Sequence, residues 1–385
     1  MDDTKKALSV AGDKMKQMMG NIINSENKYY IHLALVVLII IFVSITTLYV
    51  INQFTKKNSD LKYMKKDLEA IDKTIVNIND NDALFKHNIR DYYIMSSHNS
   101  CCDGSYENSY VSLDALKSVI FKGARVLDFE VYSVDNKAVI SASDKDSFYE
   151  KGTYNSLNFG STMNAIERFA FSAATAPNYD DPLFLHFRIK SNRSVIFDEM
   201  ANSISSAFSS RLLSPKYGKE NNGENLGAEP LLNFRGKVII MCDKSVNTGF
   251  EKTKLDDLVN IASGGAFVRS IRDYDVKYTP NAQELIDYNK KNMILSMNDL
   301  STRSDNMDAG IHHKYGCQMV CMNFQNVDSY MVYYLELFNN SNSAFILRPE
   351  ELRFKPLLIN APKKQDPKLS YAQRKIQKPY FSHVL

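Results

Sequence analysis

ARVLDFEVYS, residues 124–133, is the stretch that decides the fold. Apolar residues occupy both of its alternating faces. The two acids that interrupt them, Asp128 and Glu130, are two apart, so on a strand both point to the same side. A strand that is apolar on both faces belongs in a sheet covered on both sides, the setting of parallel strands. Upstream, LDALKSVIFKG (113–123) carries apolar residues at helical spacing, and YYIMSS (92–97) is another short apolar run. Downstream come AVIS (138–141), MNAIERFAFSAA (163–174), PLFLHFRI (182–189), IFDEMANSISSAF (196–208) and KVIIMC (237–242). Strand-like runs thus alternate with amphipathic stretches. CQMVCMNF (317–324) and AFILRP (344–349) are strand-like again. This rhythm over residues 83–361 predicts a parallel α/β domain, and its length suits one (β/α)8 barrel.

The pattern before residue 83 is different. LALVVLIIIFVSITTLYVI (33–51) has no charge, and the uncharged stretch extends over 29–55. About 20 apolar residues in a helix span the ~30 Å hydrocarbon core, so 29–55 is expected to be a single-pass transmembrane anchor. It is too long, and too far from Met1, for the apolar core of a signal peptide. Lys56, Lys57, Lys62, Lys65 and Lys66 outweigh Lys14, Lys16 and Lys28 across the anchor, which by the positive-inside tendency puts the large domain in the cytosol. Leu61, Met64, Leu68, Ile71, Ile75 and Ile78 then recur at alternating spacings of three and four. That heptad seam predicts a helical stalk over 56–82, which either pairs with a second copy as a homodimer or packs on its own domain. Residues 1–28 precede the anchor. A basic tail with Lys363, Lys364, Lys368, Arg374, Lys375 and Lys378 occupies 362–385.

Of the 385 residues, 44% are hydrophobic and 24% charged, enough apolar material for a large core. A net charge of +3, with no stretch that interleaves basic and aromatic residues, argues against nucleic acid as a partner. The cysteines, Cys101, Cys102, Cys242, Cys317 and Cys321, lack a second metal-binding half and are expected to be reduced, structural thiols.

Barrel active sites lie at the C-terminal ends of the strands. Ser96-Ser97-His98-Asn99-Ser100 ends the first strand, Asp128 and Glu130 lie on the second, and His186 and Arg188, again two apart, lie on a later one. Together they would bring an imidazole, an amide, two carboxylates and a guanidinium to one mouth, a set that suits a phosphoryl ligand. Taken singly, each also suits a structural role, since a histidine at a strand end is commonly just hydrogen-bonded.

MSSHNS (95–100) is similar to the SSHNT motif of phosphoinositide-specific phospholipases C, and KGARVLDFEVY (122–132) resembles that family's KGCRCVELDCW. FGSTMNAIERFAF (159–171), DPLFLHFRIKSN (181–192) and FRGKVIIM (234–241) follow in the family's order. GCQMVCMNFQNVDSYM (316–331) and FILRPEELRF (345–354) resemble the motifs of its Y region. The resemblance covers about residues 88–356 and implies a distorted (β/α)8 barrel of the phospholipase C type. It does not extend to the family's pleckstrin-homology, EF-hand and C2 modules, which implies that the anchor supplies membrane targeting. It also implies that His98 and Asn99 lie at a scissile phosphate, and that Asn99, Asp128 and Glu130 bind substrate and ligate Ca2+. The family's Glu-x-Asp pair appears here as Asp128-x-Glu130, with the two side-chain lengths exchanged.

The sequence departs from the family at several positions. Ala142 stands where the second catalytic histidine is expected, and no histidine occurs between Val139 and Leu185. Arg188 aligns with the third Ca2+-binding carboxylate. Met241 and Asp243 align with the substrate-phosphate lysines, and the arginine and tyrosine that embrace the inositol fall near Ile294 and Ser296. Two functions follow from these departures. The expected one is a membrane-anchored, catalytically impaired barrel that binds a phospholipid headgroup or a partner. The alternative is a metal-independent phosphodiesterase in which His98 is the base, Arg188 replaces Ca2+ as in metal-independent bacterial relatives, and His186 is the nearest candidate for a second imidazole.

Overall fold

The computed structural model describes residues 28–356 and 371–385, together with 10, 12–18, 20, 363, 364 and 369. The segment expected over 1–28 therefore falls largely outside the described residues, as does Lys368 of the tail. Two compact units divide between Arg353 and Phe354. The second contains an antiparallel hairpin.

In the first unit the strands are β1 (Tyr92–Ser97), β2 (Val126–Val134), β3 (Lys137–Ser141), β4 (Leu157–Asn158), β5 (Leu183–Lys190), β6 (Val238–Asp243), β7 (Ile261–Ser263), β8 (Val268–Arg272), β9 (Met293–Met297), β10 (Met319–Met322) and β11 (Phe345–Leu347). Eight of them, β1, β2, β5, β6, β7, β8, β9 and β10, pair in parallel in that order, and β10 returns to β1 to close a barrel. The expected (β/α)8 architecture is present. AVIS and AFILRP form strands outside the ring: β3 and β4 extend it antiparallel beyond β2, and β11 lies antiparallel on β1. In the second unit, β12 (Lys375–Lys378) pairs with β13 (Phe381–Val384), and its residues are mostly exposed.

The helices are α1 (Lys28–Glu69), α2 (Leu113–Phe121), α3 (Phe159–Ala170), α4 (Ser194–Phe208), α5 (Asp273–Lys277), α6 (Ala282–Lys291), α7 (Ala309–Lys314) and α8 (Ser329–Asn340). Several start at a side-chain cap that satisfies an otherwise free amide. Ser112 accepts from Ala115 N at 3.1 Å, and Asn158 accepts from Ser161 N at 2.9 Å. Their apolar stripes close on the strands, so β1, β2, β5 and β6 are buried throughout most of their length.

α1 is one continuous helix, long and apolar enough to cross a membrane, and its apolar part is exposed. The predicted helical stalk over 56–82 is shorter than expected. The helix ends at Glu69, and residues 72–79 form neither helix nor strand. The seam residues nonetheless stay apolar-inward: Met64, Leu68, Ile75 and Ile78 are buried in the barrel's own core, with Leu61 and Ile71 packed against it. Gly123 explains the close approach. A Cβ there would stand 2.9 Å from Ile75 Cδ1, and its φ of +95° suits glycine in any case.

Candidate functional site

The register between β2 and β5 builds the site. Asp128 pairs with His186 and Glu130 with Arg188, so the period-two alternation aims four side chains into the mouth at two levels. β1 delivers His98 and Asn99 just past its end. Asn99 has a φ of +43°, a left-handed conformation that asparagine tolerates better than most residues. That turn directs its backbone amide onto Asp128 Oδ2 at 3.0 Å while its side-chain carbonyl faces Arg188.

Arg188 is the centre of the cluster. Its Nε donates to Asp128 Oδ1 at 3.0 Å and its Nη2 to Asp128 Oδ2 at 2.7 Å, a bidentate pair. Nη1 donates to Glu130 Oε1 at 2.5 Å, and Nη2 also reaches Asn99 Oδ1 at 2.7 Å. Asn99, Asp128 and Glu130, the three residues expected to hold a cation, thus all direct oxygens at one guanidinium. A cation in that position would meet Arg188's positive charge, so the donor set does not fit Ca2+. Among the described residues, no group of three or more His, Cys, Asp or Glu side chains is placed to hold a metal ion.

The charges hold one another. Burial acts to raise the Asp128 carboxyl, but Arg188, His186 and His98 outweigh it and keep it well below the usual carboxylate range. Burial acts to lower Arg188, yet Asp128 and Glu130 push it well above the ordinary guanidinium value. Glu130 is fixed on its other oxygen by the Tyr132 hydroxyl at 2.7 Å and Ser143 N at 3.0 Å.

The two histidines have different settings. His186 donates from Nδ1 to Asp128 Oδ1 at 2.7 Å and meets the Ser263 hydroxyl at Nε2, also 2.7 Å. Both ring nitrogens are occupied and the side chain has no exposure, so it positions Asp128 rather than facing a ligand. His98 Nδ1 lies 2.9 Å from Asp128 Oδ2 but off the angle of a hydrogen bond. Its Nε2 is 3.4 Å from the Asn99 amide nitrogen, and Tyr106 packs edge-on against the ring. Burial and then Arg188 lower the His98 pKa, against the opposing pull of Asp128, so the ring is neutral near pH 7. His98 is only 4% exposed and Arg188 1%. A loop over residues 142–156 closes this side of the mouth: Ala142 O accepts from Gly152 N and Thr153 N, and Asp146 pairs with Lys190 at the end of β5.

The other half of the mouth is filled. Met241, Ile294 and Ser296 are fully buried. Asp243 accepts from Ser245 and from Ser270 Oγ at 2.8 Å. Arg272, at the end of β8, was not expected from the sequence. Its Nη1 donates to Asn298 O at 2.8 Å, its backbone N–H donates to Asp275 Oδ2 at 3.0 Å, and among the described residues its guanidinium is in no ion pair. Burial and the field of Arg188 lower its pKa. The available signal was Ser270 and Arg272 at period two on one short strand.

Two family models match in sequence order: the X domain of phosphatidylinositol-specific phospholipase C over residues 85–244, and the Y domain of the same enzyme over 247–351. The chain belongs to the phosphatidylinositol-specific phospholipase C family. The crystal structure of PLC21 from L. pealei superposes with a TM-score of 0.58 at 21% identity, covering 70% of this chain and 38% of that one. PLC21 from S. officinalis gives 0.59 at 21% identity, covering 73% and 39%. The likeness at this identity is one of fold. The chain spans less than two fifths of the length of those relatives. No curated protein matches the sequence.

Proposed function

We propose that this phospholipase C barrel is anchored in a membrane by α1 and has given up calcium-dependent hydrolysis for binding a phospholipid headgroup. The observation that carries this reading is the Arg188 guanidinium hydrogen-bonded to Asn99, Asp128 and Glu130. It neutralises the carboxylates that would otherwise hold a cation. With Ala142 in place of a second imidazole, the leaving group has no acid, a loss worth about 10²–10⁴-fold by itself. The anionic headgroup would meet Arg272, the mouth cation without a carboxylate partner. The apolar length of α1 supports the anchor, and the five buried, unpaired cysteines together with the lysine-rich flank of residues 56–66 support a cytosolic barrel. Pairing through the stalk forms no part of the proposal, because the seam residues are covered by the barrel itself.

Hydrolysis of phosphatidylinositol and of glycerophosphodiesters by the full chain, with Ca2+ and with chelator, tests the loss of catalysis. The wild type is expected to turn over no faster than His98→Ala. Chelator-resistant activity that disappears in His98→Ala would establish the metal-independent phosphodiesterase instead. Weaker binding of Arg272→Ala to vesicles containing phosphatidylinositol phosphates, with binding to phosphatidylcholine unchanged, is expected if the mouth meets a headgroup.

A further inference from the structure

Lys190 is the last residue of β5, two positions beyond Arg188 and four beyond His186, so period two puts all three on the inner face. It is 2% exposed, and a buried ammonium needs an anionic partner. Arg188 has two acids of the barrel itself. The partner of Lys190 is Asp146, in the loop between β3 and β4. The Asp146 side chain is 63% exposed, so a sealed cation is closed off by a carboxylate that stands largely in water.

That carboxylate is subject to more of the mouth than Lys190. The Lys190 ammonium lowers its pKa against the effect of burial, and the fields of Arg272 and Arg188 act in the same direction. Asp146 in turn pulls the Arg272 pKa up, against the burial that lowers it. The loop is tied firmly at its feet and lightly at its tip. Ser143 N donates to Glu130 Oε2 at 3.0 Å, and Gly152 N to Ala142 O at 2.8 Å. Between those ties Lys145 pairs with Glu150 at 3.0 Å, and Tyr149 N donates to Ser147 Oγ at 3.2 Å, both within the loop. Among the described residues, the bond between Asp146 and Lys190 is the one hydrogen bond that joins residues 144–150 to the barrel.

From this geometry we propose that Lys190 and Arg272 form a phosphate subsite and that Asp146 fills it as an internal stand-in, so that a phosphomonoester binds by displacing the tip of the loop. The carboxylate carries one charge and bonds to Lys190 alone. A phosphomonoester carries about −1.5 to −2 at neutral pH and has three acceptor oxygens, enough to engage the ammonium and the guanidinium together. The exchange strands no charge: Lys190 keeps an anion, and Asp146, already mostly hydrated, moves into water. The phosphate can belong to a lipid headgroup or to a soluble molecule. The proposal rests on the reading that the mouth takes a phosphate-bearing ligand, and adds a second cation and the group that must first leave it.

The test uses the full chain in detergent micelles. All five native cysteines are buried and Tyr149 is 95% exposed, so a spin label on Tyr149→Cys reports the mobility of the tip. Asp146→Asn removes the competing charge, and Lys190→Met removes the cation while leaving an apolar side chain in the wall. Both are expected to free the label. Calorimetry is expected to show inorganic phosphate binding several-fold more tightly to Asp146→Asn than to the wild type, and not at all to Lys190→Met. Titrating the wild type with phosphate, or with phosphatidylinositol 4-phosphate in the same micelles, is expected to free the label as the site fills. A label unmoved by Asp146→Asn, a phosphate affinity in that variant no higher than in the wild type, or binding that survives Lys190→Met overturns the proposal and makes the ion pair a structural one. Lipid that binds while the label stays fixed also overturns it, and leaves the headgroup reading standing. Release by phosphate and not by the lipid supports the subsite, and the headgroup reading falls alone. No binding of either ligand to any of these proteins overturns both.

Discussion

Arg188 and Arg125 are both sealed inside the barrel wall, one at its mouth and one at its base, and they are held in different ways. Arg125 precedes β2 and donates to neutral oxygens: Ala170 O at 3.1 Å, Asn178 Oδ1 at 2.9 Å and the Asn178 carbonyl. Arg188 instead donates to two carboxylates. A buried cation tied to carbonyls pins loops to the fold, here the segments around residues 170 and 178 to the start of β2. A buried cation on which acids converge is instead the counter-charge that lets those acids stay ionised in a dry site. The difference separates an arginine that pins loops from one that balances the carboxylates of the mouth.

Removing each group in turn can break that comparison. The largest effect is expected from Arg188→Ala, which strands Asp128 and Glu130 without a counter-charge in a dry site. Such a loss costs about 3–5 kcal/mol, read as a lowered urea midpoint for the full chain in detergent. A loss no greater than that of an exposed substitution would mean the cluster is not a coupled set.

Next comes Asp181, which neighbours Arg125 at the base. Burial pushes its carboxyl up to about 6 from 3.8, so the folded state holds the proton more tightly than the unfolded one. The stabilising contribution is complete below the unfolded pKa and is lost as pH rises through about 6. The difference corresponds to roughly 3 kcal/mol. Asp181→Asn is expected to flatten the dependence of the melting temperature between pH 4 and 7. An unchanged slope would assign that dependence to other groups.

Arg125→Met should be milder than Arg188→Ala, because the groups it hydrogen-bonds are neutral carbonyls and Asp181 is a neighbour of its charge rather than an ion-pair partner, at about 1–3 kcal/mol. Equal losses at the two ends would erase the distinction between them.

The parts of this molecule that could be read in the sequence are those where one signal dominates. β1, β2, β5 and β6 are continuous apolar runs because helices cover their outer faces and the side chains of the other strands fill the barrel inside, and the shared side of Asp128 and Glu130, and of His186 and Arg188, followed from spacing alone. Of the barrel strands, β7, β8 and β9 were not found: Ile261–Ser263 is three residues long, VRSIR alternates too briefly to stand apart from a loop, and MILSM (293–297) is a short run behind a polar helix. Arg272 was missed with them. The heptad spacing of the stalk was real, but it continued past the end of the helix, because Ile75 and Ile78 meet the barrel from chain that is neither helix nor strand. His186 fell at the expected place, yet its pairing with Ser263 depends on a strand far away in sequence, which spacing could not show.

The central claim is that Arg188 occupies the position of the metal, and calcium titration of the full chain by calorimetry, beside Arg188→Glu, tests it most directly. The substitution supplies a third carboxylate facing Asp128 and Glu130. The wild type is expected to give no saturable heat and no change in melting temperature with Ca2+, whereas the variant is expected to bind Ca2+ and to be stabilised by it. Saturable binding to the wild type, lost in Asp128→Ala, would contradict the claim.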